Sequence, residues 1–349
     1  MADDNARELL RLSDSLFSRK GQVDTLWQTL ADEVHPARAT FTKVRVDGDE
    51  YADQLYTSVP AQNMLALAYA LGGLTRPKNQ NWFDPKAQEE WRNTERAKAW
   101  FAQQRDKQRT LLYTEAAKFQ EAMQASDQDV VTFGNSVIMH HEHTDVDGVH
   151  GFQTYKTMHL RDCAWKENAA RDVKELHRKF KVQLGNWSEE FKGARLPDRY
   201  KSLREKDPTH EVEIRHIVMP RDAYGYDPYG KPAKGSSQHP FRSVYIDPNG
   251  QEIVREGGYW EFIYTVRRWF LADNSAYAYS PAAMLGLVEA RLLQSQERVL
   301  LDAGERVADP PVVATKDAVL GQVMNYAGAT TWLDGNYDER TGEGVRVLE

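Results

Sequence analysis

The stretch Gly257–Val313 constrains this chain most: an aromatic run (GGYWEFIYTVRRWF), a short polar bend, and then one long helical pattern with a hard stop. Ser280 suits a helix N-cap, and Pro281 follows at the first helical position, where a missing N–H costs nothing. Asp309, Pro310 and Pro311 end the pattern, because proline cannot continue the helical hydrogen-bond ladder. About 26 residues, Pro281 to Arg306, lie between these signals, roughly 39 Å of helix at about 1.5 Å per residue. Leucines and valines alternate there with Glu289, Arg291, Gln294, Glu297, Arg298 and Asp302, so the helix has one apolar stripe and a wide polar remainder. Two readings are open: a core helix of a large domain, or a helix that packs against copies of itself in a ring.

The rest of the chain divides by pattern. Asn5 to Val34 reads as helices, with Leu9, Leu10, Leu12, Leu16 and Phe17 on one face, Gly21 as a break, and Leu26, Trp27, Leu30 and Val34 on a second face. His35-Pro36 ends that region. The segment around Asp47-Gly48 reads as extended with a turn. From Gln54 to Thr75 no charge occurs for about 22 residues, but its apolar centre is too short for the ~20 residues a membrane span needs, so a buried helix is expected. Asn81 to Pro85 reads as a packed loop. Helical periodicity then runs from Lys86 to about Ser126, with Trp91, Trp100, Phe101, Leu111, Leu112, Phe119 and Met123 as core candidates. At Asp129 the character changes to alternating, β-branched segments with a hairpin turn at Asp147-Gly148. Short helical pieces are expected at Leu184–Ala194 and Pro197–Glu205. Glu211 to Met219 alternates again, with Val212, Ile214, His216 and Val218 on one face. The fold class that results is α+β.

Composition excludes several functions. Lys+Arg 45 against Asp+Glu 52 leaves a net charge of −7, which argues against tight sheathing of nucleic acid while allowing DNA to pass. Cys163 is the lone cysteine, so no intrachain disulfide can form, and a structural thiol is expected. The amino-terminal MADDNAR has neither the basic nor the apolar part of a signal peptide. No P-loop, dinucleotide-binding glycine pattern or nucleophile elbow is present.

Three clusters carry possible chemistry. In HHEHTDVDGVH, His141, His143 and Asp145 share one face of a strand, a nitrogen-plus-carboxylate set able to bind zinc or iron. The competing reading is a polar hairpin, since the helical H-E-x-x-H pattern of zinc proteases is not met. Tyr224, Tyr226 and Tyr229 alternate with Lys231 and Lys234 in a Gly/Pro-rich loop, which suits docking of a protein partner or stacking on single strands. Arg267-Arg268-Trp269 is ambiguous between the same two roles.

Several stretches, in order, resemble the portal proteins (head-to-tail connectors) of short-tailed tailed phages. They are LWQTLADEVHPARATF, LALAYALGGLTRPKNQNWF, VVTFGNSVIM, YKTMHLRDCAWKENAARDVKELHRKFK, VEIRHIVMPR, GGYWEFIYTVRRW and SPAAMLGLVEARLLQSQERVLLDAGERVADPPVV. The resemblance implies a structural, non-enzymatic subunit without cofactor or metal, forming a dodecameric channel at a capsid vertex of the virion, assembled in the host cytoplasm. Double-stranded DNA would pass through it. Its partners would be the terminase large subunit, tail adaptors, and the major capsid or scaffold protein, with no membrane. Mapped here, 1–128 would be the helical part of the wing, and 129–207 a β-rich wing and first stem segment. Residues 208–272 would be a clip-like β unit, 273–310 the long stem helix, and 311–349 a Gly/Asp-rich trailing segment in place of the family's later wing helix and crown. Arg291, Arg298, Arg306 and Leu292 would then face the channel or a neighbouring subunit, and the Tyr224–Lys234 loop would dock partners. A metal-dependent enzyme and a tail adaptor ring protein are the alternative readings.

Overall fold

The computed structural model describes residues 4–46, 48–87, 94–144, 150–191, 193–221, 239–272 and 275–308, and a strand pair at 312–314 and 345–347. It is α+β and divides into two units: residues 1–52 with 60–287, and residues 53–59 with 288–349.

In the first unit, α1 (Asp4–Val34) runs unbroken for 31 residues, so Gly21 does not interrupt it. Gly21 has open space around it, and the helix is held by its packing on both sides of that position, which outweighs the roughly 1 kcal/mol that glycine costs a helix. The amino-terminal part buries Ala6, Leu9 and Leu10 against Ile217, Met219, Val244 and Ile246. The carboxy-terminal part sends Trp27 and Leu30 into the main core with Phe41, Phe133, Trp165 and Leu176. Between them Lys20 is fully buried, and its Nζ donates to the carbonyls of Leu160, Arg161 and Cys163 at 2.7, 2.9 and 2.8 Å.

The helical region that follows departs from its expected form. Helix α2 (Val59–Thr75) buries only Pro60, Met64 and Ala68; Leu67, Tyr69 and Leu74 face solvent, so the charge-free segment is an exposed helix and not a buried one. Helix α3 (Glu95–Leu112) buries none of its residues, and Trp100 and Leu111 are exposed. A short 3-10 turn and Lys118 in the left-handed region separate it from α4 (Phe119–Phe133), where one continuous pattern to Ser126 was expected. Trp91 lies outside the described residues. Helix α4 carries through Asp129 to Phe133, and strand structure begins at Asn135, once Gly134 at φ +75° has closed the helix.

Strands β1 (Asn135–Thr144) and β2 (His150–Met158) form the expected antiparallel pair; the turn between them lies outside the described residues. On its other edge β1 pairs with β8 (Tyr264–Arg268), giving the order β2-β1-β8. A five-stranded antiparallel sheet follows the order β3 (Cys163–Glu167), β4 (Val173–Gln183), β5 (Glu211–Pro220), β6 (Phe241–Asp247), β7 (Glu252–Tyr259). The sequence boundary at 207/208 therefore falls between two hydrogen-bonded strands, with Phe180 opposite Ile214. Helices α5 (Trp187–Glu190) and α6 (Asp198–Lys206) cover part of this sheet, closing a cluster of Trp187, Phe191, Tyr200, Val212 and Ile214. Strand β5 is buried on both faces, which is why His216 is enclosed beside its apolar neighbours. His216 Nδ1 lies 2.7 Å from the Tyr264 hydroxyl and Nε2 2.9 Å from Ser243 Oγ, and burial holds the imidazole neutral.

In the second unit, α7 (Leu287–Ala308) is joined by residues 53–59 and by the pair β11 (Val312–Ala314) and β12 (Val345–Val347). Gln294 fixes the 53–59 segment to α7. Its Oε1 accepts from the amides of Tyr56 and Thr57 at 2.7 and 3.1 Å, and its Nε2 donates to the Thr57 carbonyl at 2.9 Å.

Candidate assembly surface

The root of the long helix is built into the core of the first unit. The strands β9 (Phe270–Leu271) and β10 (Ala278–Tyr279) pair there, and the chain crosses the end of α4 at van der Waals limits. A Cβ placed on Gly134 would lie 2.5 Å from the Tyr279 carbonyl carbon and 2.6 Å from the Ser280 nitrogen, so only glycine fits. Asn135 bridges the crossing. Its Nδ2 donates to the carbonyls of Phe133 (2.9 Å) and Ala278 (2.7 Å), and its Oδ1 accepts from the Ala278 amide at 2.9 Å. Ser280 is fully buried, donates to the Thr132 carbonyl at 2.6 Å, and accepts from the Ala283 amide at 2.9 Å. It is the N-cap that the sequence indicates. The turn after it is not α-helical. Ala282–Gly286 form a π turn closed by the Leu287 amide on the Ala282 carbonyl, and α-helix proper begins at Leu287. A glycine next to a serine-capped start is weak notice of such a turn, and the sequence reading missed it.

Beyond the root, α7 is an amphipathic helix whose apolar side has almost no cover. Val288, Leu292, Val299, Leu300 and Val307 are 51–83% exposed, and Ala290 is the buried residue of the helix. At about 100° per residue, Val288, Leu292 and Val299 fall in one strip, and Leu293, Leu300 and Val307 in the strip beside it. Together they span an arc of about 140°. Arg291 and Arg298, seven residues apart, share a face outside this arc, whereas Arg306 continues the line of Val299. All three arginines are exposed, as is Leu292. The four stem candidates thus separate into an arginine face and an apolar arc.

A second uncovered surface lies on the first unit. Between α2, α4 and the loop after α2 runs an open groove of about 680 Å³, with Ala68, Tyr69, Phe119 and Met123 along it and the helical glycines Gly72 and Gly73 at its wall. Beneath it Asp127 pairs with Arg76 and with Arg267, whose Nη1 lies 2.7 Å from Oδ1. Arg268 pairs with Glu167. The Arg267-Arg268 doublet is therefore engaged in ion pairs within the fold.

The other clusters give no further geometry. Tyr224, Tyr226, Tyr229, Lys231 and Lys234 lie outside the described residues, as do Asp145 and the side chain of His143. His141 sits on β1 opposite Thr154. Among the described residues no group of three potential ligands could hold a metal ion. Cys163 is fully buried, and burial pushes its thiol up to about 12, the state of an inert thiol. Among the described residues no helix is long and apolar enough to cross a membrane.

A family model described as bacteriophage head to tail connecting protein matches residues 6–346. The chain belongs to this family. Among curated proteins, it is similar to the "Portal protein" of Salmonella phage epsilon15, 28% identical over 164 residues. That match covers 45% of this chain and 28% of the relative, so the chain aligns with well under half of the relative's length.

Proposed function

We propose that this connecting protein is a portal subunit: copies form a dodecameric ring at one capsid vertex, and DNA enters and leaves through the central channel. The observation that carries the reading is α7, an amphipathic helix whose apolar arc stays exposed in the single chain. Burying apolar surface contributes about 25 cal/mol per Å², and exposed leucines and valines along three helical turns demand a partner surface. A neighbouring copy in a ring supplies one. Within it, residues 281–308 serve as stem, and the Arg291–Arg298 face looks toward the channel or across a subunit boundary. The arrangement suits DNA in transit, since the chain's net charge of −7 does not favour tight retention.

The role is structural, with no chemistry performed by the chain. Residues 1–128 and 129–207 would form the wing. The Tyr224–Lys234 loop would belong to a clip within 208–272, which docks the terminase large subunit during packaging and tail adaptors afterwards, while capsid or scaffold protein meets the wing. The name of the epsilon15 relative supports the portal assignment over a tail adaptor. The experiment is the mass and rotational symmetry of the purified protein, by light scattering and particle imaging. Twelve-fold rings with an axial hole are the expected result. Compact assemblies without a hole would end the reading.

A further inference from the structure

The portal reading leaves open which surface of a neighbour covers the apolar arc of α7. We propose that the groove between α2 and α4 of one copy is the seat for the α7 helix of the adjacent copy. The inference rests on the ring reading and names its interface.

Four observations point to this pairing. First, both surfaces are uncovered and carry apolar area, the groove with the Arg76–Asp127 pair, Gln80, Gln120 and Gln124 also in its lining, and they are different surfaces of the same chain. A heterologous interface, the kind that closes a ring, requires two distinct complementary patches on each subunit. Second, the groove wall is shaped for a helix. Gly73 has nothing within 4 Å of the position its Cβ would take, so a neighbouring backbone can approach there without meeting a side chain. Third, the lengths agree. The 17 residues of α2 span about 25 Å, and the apolar arc from Val288 to Val307 spans roughly 28 Å. Fourth, the charges agree. Residues 54–75 carry none, the Asp127 carboxylate in the groove is already paired with Arg76 and Arg267, and at the groove end stands exposed Lys78. Exposed Glu289 lies inside the apolar arc of α7, the one carboxylate there, and would meet that lysine.

Site-specific cross-linking tests the pairing cleanly, because the native thiol of Cys163 is buried and inert. Two copies of the 349-residue chain, one with Gly73→Cys and one with Leu292→Cys, are co-expressed and treated with a short bismaleimide. Each chain carries a single reactive thiol, so a product joining 73 to 292 must link two copies. Both positions are exposed, so neither change disturbs the fold. The expected outcome is a mixed dimer at least tenfold more abundant than the homodimer from either variant alone. Rings that form with no 73–292 product, or abundant homodimer from Leu292→Cys alone, would overturn the pairing and leave the portal reading standing. Absence of any assembly would remove both. As a second arm, Gly73→Glu should keep the melting temperature of the isolated chain within a few degrees while abolishing rings; rings that persist would also overturn the pairing.

Discussion

The Arg38 guanidinium holds the buried Asp129 carboxylate from two nitrogens, Nε to Oδ1 at 3.1 Å and Nη2 to Oδ2 at 3.2 Å. The pair ties the short turn after α1 to α4. His35 lies beside it, stacked on Phe133 at 6.2 Å, and His159 Nε2 lies 3.1 Å from Thr40 Oγ1. Burial raises Asp129 to about 7 despite Arg38, while burial and then the Arg38 charge lower His35 and His159 to about 4.

These shifts fix a pH dependence. Asp129, raised, contributes stability that is present below its unfolded value of 3.8 and lost as pH climbs through about 7. The histidines, depressed, contribute stability that is present above 6.5 and lost as pH falls through about 4. The histidines and the carboxylate act in opposite directions, and with two groups against one stability should fall between pH 6.5 and 4. His35→Phe should remove about half of the histidine contribution while keeping the stack on Phe133. Denaturant melts across that pH range are the measurement, and an unchanged acid slope in the variant would exclude His35 from the effect.

Gly134→Ala should destabilise the first unit by about 2–4 kcal/mol. The new methyl would need a left-handed φ and would overlap the backbone at Tyr279 and Ser280. Ser280→Ala, which removes one cap and one buried hydrogen bond, should cost less, about 1–2 kcal/mol. Urea titration followed by circular dichroism gives both values. A Gly134→Ala cost below that of Ser280→Ala would contradict the tight crossing.

Lys20→Met should cost about 3 kcal/mol or more at neutral pH. Methionine fills similar volume but leaves the buried carbonyls of Leu160 and Cys163, and the half-buried one of Arg161, without their donor. Burial lowers the Lys20 pKa, partly offset by Asp24, whose Oδ1 is 3.3 Å away. Thermal melts of the two proteins decide it; equal stability would mean that water replaces the ammonium.

On α7, Leu292→Asp should leave the melting temperature of the isolated chain almost unchanged, because Leu292 is 51% exposed, yet prevent ring formation, where a carboxylate would be buried unpaired. Arg298→Ala should permit rings and reduce DNA packaging. Sedimentation and a packaging assay separate the two faces. Normal rings from Leu292→Asp would place that strip outside the interface, and full packaging by Arg298→Ala would remove that arginine from DNA or subunit contacts.

The sequence by itself determined elements whose cause is local. The Ser280-Pro281 start of the long helix, the stop of α1 at His35-Pro36, the antiparallel strands around Val137 and the alternating strand at Val212–Val218 all follow from capping chemistry, proline geometry and side-chain period. The Ser280 cap needs only one hydroxyl and one amide three residues on. Tertiary structure decided the rest. Gly21 stays helical because cores on both sides of it hold α1 straight. The π turn at Ala282–Gly286 lies where Ser280 is pinned to the end of α4. Burial was the least legible property. The charge-free residues 54–75 and the leucines of α7 carry the same pattern as core helices, since hydrophobicity states that a face needs cover and not which surface provides it. The single chain buries Trp27 and leaves Leu292 open, because packing within one copy supplies a partner for the first and none for the second.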